Sequence, residues 1–151
     1  MTVTQRIRIT VPMLWLGFVL SISFMEAWLK FQAEGVTQVI GLSIGRLVFG
    51  ALNKVELSFF ALLFVCSFKS HWFLKKKMLR NVLISLGGIV LIQTFHLLPI
   101  LDQQAEMIIN NRTPSVTYFH FYYVVLETLK VMLLFVFAQH ALTKLNELTE
   151  I

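Results

Sequence analysis

The feature that most constrains this chain is an apolar run over residues 116–138 that carries Glu127 at its midpoint and Lys130 one turn further on. A run of this length crosses a bilayer as a helix, because roughly 20 residues rising 1.5 Å each cover about 30 Å of hydrocarbon. At 100° per residue, His120, Tyr123, Glu127 and Lys130 share an arc of about 80° and therefore one helix face. A carboxylate at membrane depth is costly and points into a protein interior or a wet cavity. Other helices must cover this face.

Three further apolar runs, at residues 9–29, 47–68 and 81–101, are long enough to supply them. Hydrophobic residues make up 57% of the chain and charged residues 14%, against about 45–50% and 25% in soluble domains. Mean hydropathy is +0.75. The expectation is an all-α, four-helix transmembrane bundle forming a single integral-membrane domain over residues 1–151. A lone cysteine, Cys66, excludes an internal disulfide or a cysteine-based metal cluster and reads as a small buried hydrophobe. The net charge of +5 belongs to the loops of a basic membrane protein rather than to a nucleic-acid surface, since no nucleic-acid motif is present.

Along the chain, Arg6 and Arg8 precede the first run. Ser21, Ile22 and Ser23 offer a small-x-small cleavage site, but the apolar run continues past them and reaches spanning length only uncleaved, so a retained anchor is expected. Residues 31–46 mix polar and apolar side chains at helical spacing, which fits either an interfacial amphipathic segment or an early start to the second span. Within them, Gly41 and Gly45 form a Gly-x-x-x-Gly pair suited to close helix packing. The second span carries Asn53, Lys54 and Glu56 in its first half. Residues 69–80 form a basic loop that reads as a topology signal. The third span contains Gln93, His96 and Pro99, and residues 102–115 are expected as a loop holding Asp102, Glu106, Arg112 and Pro114.

Outside the spans, eight Lys and Arg fall on one side and three on the other. The positive-inside rule then puts both termini in the cytoplasm, with the chain in a plasma (inner) membrane. With that orientation the polar residues gather in the outer half. Counted at 1.5 Å per residue, Glu26, His96 and His120 lie roughly 4–8 Å below the outer boundary, Asn53, Glu56, Gln93 and Tyr123 at about 9–14 Å, and Glu127 near 16 Å. Lys130 lies deeper. The pattern predicts an outward-facing polar vestibule floored by Glu127 and Lys130, with Glu26–Lys30 and Glu127–Lys130 as neutralising pairs.

Such a vestibule suits binding or passage of a small solute or proton, with Glu127, His120 and Tyr123 as stations. A second reading is a redox protein holding haem or a divalent metal through His96 and His120. A third is an accessory subunit whose polar face docks another membrane protein or a second copy. No catalytic residue is assigned, for no nucleophile triad, phosphate loop or Cys-x-x-Cys appears. The expected surroundings are the lipid bilayer and such a membrane partner.

The order of features also resembles a family. Ala27, Trp28, Leu29, Lys30 and Phe31 close the first span; Phe49, Gly50, Ala51 and Leu52, then Leu57, Ser58, Phe59 and Phe60, mark the second. Leu98 and Pro99 followed by Met107, and His120 at the last span, complete the likeness to the small four-span membrane proteins grouped around transmembrane protein 205. That resemblance implies a four-span membrane fold and brings no catalytic or binding residue with it.

Overall fold

A computed structural model describes residues 2–68, 76–113 and 118–149, for residues 144–149 the backbone alone. Among these residues it is all-helical: α1 (Val3–Gln32), α2 (Gln38–Phe68), α3 (Lys77–Ile109) and α4 (Phe119–Thr149). All four are long and apolar enough to cross a membrane. Residues 69–75 of the basic loop, Pro114, and residues 116–117 of the expected fourth span lie outside the described residues.

Each helix packs on two neighbours, α1 against α2 and α4, and α3 against α2 and α4, which closes an up-and-down bundle. The surface carries the apolar side chains, including Leu47, Phe95 and Phe121, while Asn53, Glu56, Gln93, Glu127 and Lys130 are buried. This distribution is what a hydrocarbon solvent selects.

The helices run further than the sequence expectation at most of their ends, and α3 begins at Lys77, inside the expected basic loop. α1 starts at Val3 rather than residue 9, because Thr2 and Gln5 form a capping box, with Gln5 Oε1 accepting from the Thr2 amide at 2.7 Å. Arg8 is consequently inside the helix and buried, and its Nη2 donates to the Cys66 carbonyl at 2.7 Å. Carbonyls in the last turn of a helix lack intrahelical donors, so the guanidinium caps the end of α2. Residues 38–46 are the first turns of α2, continuous with the second apolar run, and residues 33–37 make the connection, with Gly35 at φ 81°. The expected loop from Asp102 is helical as far as Ile109, and α4 continues past residue 138 to Thr149.

Two π turns interrupt the helices, at Leu20–Glu26 in α1 and Gln93–Leu97 in α3. The second lies just before Pro99, whose ring would clash with the Phe95 carbonyl in a regular α-helix. Slipping to i→i+5 bonding accommodates the proline without ending the helix.

The bundle has three layers along its length. Nearest the termini, Trp15, Val19, Leu63, Leu83, Leu86, Leu134 and Phe137 belong to a close-packed apolar core. Mid-bundle lies a knot of charged and polar side chains. A cavity occupies the half remote from the termini.

Candidate functional site

The knot is built from all four helices. Lys130 Nζ on α4 donates to Glu56 Oε1 on α2 at 2.5 Å and to Glu127 Oε1, one turn back on its own helix, at 2.9 Å. Trp15 Nε1 on α1 donates to Glu56 Oε1 at 2.9 Å, and Gln93 Nε2, turned inward by the π turn of α3, donates to Glu127 Oε1 at 2.9 Å. The three charged side chains are 1% exposed or less. Glu127 Oε2 and Gln93 Oε1 are buried without a hydrogen-bond partner. Tyr123, one turn before Glu127, is buried beside it.

Beyond Tyr123 the helices part around a cavity of about 810 Å³. Its walls are largely apolar: Ala27, Trp28 and Phe31 from α1, Leu42, Gly45, Phe49 and Gly50 from α2, Leu98, Pro99 and Ala105 from α3. Asn53, Tyr123 and Thr94 lie at its deep end, where Asn53 Nδ2 donates to Thr94 Oγ1 at 2.8 Å and the Tyr123 ring meets Phe49 edge-on at 5.7 Å between centroids. Three cations line it. Lys30 pairs with Glu26 at 3.2 Å and sits over the Phe31 and Phe49 rings at 5.6 and 5.5 Å. Arg46 grips Asp102 with two bonds of 2.6 and 2.8 Å and reaches Glu106 at 3.6 Å. Lys54 is exposed at the cavity edge and has no ion pair or side-chain hydrogen bond among the described residues.

The residues expected to share one vestibule therefore occupy different places. Asn53, Tyr123 and His120 line the cavity; Glu56, Gln93, Glu127 and Lys130 are sealed below it; Glu26 serves Lys30 at its side. The floor is Tyr123 with Asn53, which line the cavity, whereas Glu127 and Lys130 are buried outside its lining. His96 is exposed, is not among the lining residues, and packs edge-on against Phe119. Among the described residues no three His, Cys, Asp or Glu side chains converge to hold a metal ion, so the donor set does not suit a divalent metal.

Gly41 and Gly45 serve side chains rather than a second helix backbone. A Cβ on Gly41 would run into the Phe31 ring, and one on Gly45 would lie 3.0 Å from Lys30 Nζ. Both glycines let the end of α1 fold onto α2 and form the cavity wall. Sequence reasoning missed Trp15, Thr94 and Arg8. The spacing of Arg8, Val11, Trp15 and Val19 at intervals of three and four marks one inward face of α1 and contained the signal for two of them. No family model, curated protein or solved structure matches the chain.

Proposed function

We propose that this chain is a non-enzymatic multi-pass protein of a plasma (inner) membrane, termini inward, that binds a small amphipathic anion in its outer cavity. A place among the transmembrane protein 205 group is part of the same proposal and rests on the sequence motifs alone. The observation that carries the reading is an apolar cavity with the ammonium of Lys54, which has no ion pair among the described residues, at its edge. Lys30 and Arg46 already have carboxylate partners, so Lys54 is the group with charge to offer. Apolar walls with a few convergent polar groups are the usual make-up of a ligand site. Binding is favoured over passage because, beyond Tyr123, the path meets paired charges and then the apolar core.

A long-chain carboxylate and the matching alcohol, titrated against the protein in nanodiscs and read by native mass spectrometry, test this directly. A Cβ on Gly50 meets nothing within 4 Å, so Gly50→Leu fills the cavity with little strain. It should weaken the carboxylate at least about tenfold, equivalent to about 1.4 kcal/mol. Lys54→Met should weaken the carboxylate and spare the alcohol. Equal binding to wild type and Gly50→Leu would remove the cavity from consideration.

A second reading rests on the outer face of α2. Leu47, Ala51, Lys54, Ser58, Ala61 and Val65 recur at intervals of four and three and are all exposed. That seam suits a partner helix carrying a carboxylate opposite Lys54. A partner that co-purifies with wild type and is lost from Lys54→Met, with carboxylate binding unchanged, would favour this reading.

A further inference from the structure

The mid-bundle knot has an unbalanced charge. Glu56 and Glu127 face one ammonium, Lys130, so with every group ionised the knot carries a net charge of −1 in a space from which solvent is excluded. The groups facing it from each helix are Trp15 and Ser23 on α1, Glu56 on α2, Gln93 on α3, and Tyr123 with Lys130 on α4. Apart from Lys130, none of these is cationic. Arg8 is engaged with the Cys66 carbonyl and Lys30 with Glu26, while Lys54 lies at the cavity edge. An uncompensated buried charge is removed most cheaply by taking up a proton.

Glu56 Oε1 accepts from both Lys130 and Trp15, and Glu127 Oε1 accepts from Lys130 and Gln93. Each carboxylate thus takes its donors on one oxygen and shares the same ammonium. A second anion in a low-dielectric interior is costly, and one proton removes the excess charge. A metal cation suits the space less well, since hard cations take six or more oxygen ligands and the Lys130 ammonium already stands between the two carboxylates.

We propose that the Glu56–Lys130–Glu127 knot is a proton-binding site whose two carboxylates share one proton, exchanged with the cavity past Tyr123. Tyr123 is the residue shared by both, lining the cavity and lying beside Glu127. On the opposite side Trp15, Leu63, Leu86, Leu134 and Phe137 close the route. This site does not depend on what the cavity binds.

Infrared difference spectroscopy of the intact protein in nanodiscs at neutral pH tests the proposal. Wild type should show the carbonyl stretch of a protonated carboxylic acid, shifted on transfer to D2O. The band should vanish in both Glu127→Gln and Glu56→Gln, because either change leaves one carboxylate balanced by Lys130. A wild-type spectrum without the band overturns the proposal and needs no variant to fold. A melting midpoint of wild type that rises with sodium at constant ionic strength would make the ligand a metal cation and also overturn it.

Discussion

Lys130 is the residue on which the middle of the bundle depends. Its ammonium is the link between Glu56 on α2 and Glu127 on α4, and it has no contact with solvent. Breaking a buried pair by removing one partner is far more damaging than the net worth of the pair, because the other partner stays behind uncompensated. Lys130→Met should therefore destabilise the protein by about 3–5 kcal/mol, read as a loss of midpoint in denaturant titrations in mixed micelles. The exposed ion pair of Arg46 with Asp102 contributes less, since such pairs are worth about 0–1 kcal/mol. Its importance is positional, joining α2 to α3 at the end of the bundle remote from the termini, beside the cavity. Glu127 and Lys130 were legible in the sequence as inward-facing charges on one helix. The bond from Lys130 to Glu56 was not, because the two residues are 74 positions apart and their pairing depends on the rotation of two helices about their axes.

At the scale of the helices, glycine and the π turns set the spacing. A Cβ on Gly87 of α3 would stand 2.6 Å from the Phe60 ring of α2. This is the point where those helices approach through a side chain packed on a bare backbone. Gly87→Ala should cost about 1–3 kcal/mol through overpacking, and Phe60→Leu in the same chain should recover most of it, measured by the same denaturant midpoint. A failure of the second change to rescue would mean that the glycine serves backbone geometry rather than space. The π turn at Gln93–Leu97 shows how a register slip positions chemistry. It sends Gln93 to Glu127 and places Thr94 against Asn53 within consecutive residues. Consecutive residues point to different neighbours, and Thr94 went unnoticed because its partner Asn53 lies 41 positions away in the chain.

For the whole molecule, the long antiparallel helices put both termini at one end and the cavity at the other. In a Cys66→Ala background, Thr2→Cys and Glu34→Cys should label from opposite faces of sealed cells, with Glu34→Cys reached by an impermeant maleimide from outside. Labelling of both from one face would contradict a spanning first helix; the reversed pattern would contradict the orientation proposed from the basic loop.

Taken alone, the sequence determined that the chain has four segments long and apolar enough to cross a membrane. Four long apolar runs leave a chain no way to satisfy its backbone in hydrocarbon except as helices. It also placed Glu127 and Lys130 on one covered face. The tertiary structure decided how the polar residues divide. Rotation of each helix put Tyr123 between an open cavity and a sealed charged knot, and brought Trp15 and Glu56 into that knot from distant parts of the chain. Depth along a helix follows from counting residues, but which side chains meet at that depth depends on packing between helices, and no single segment contains that information.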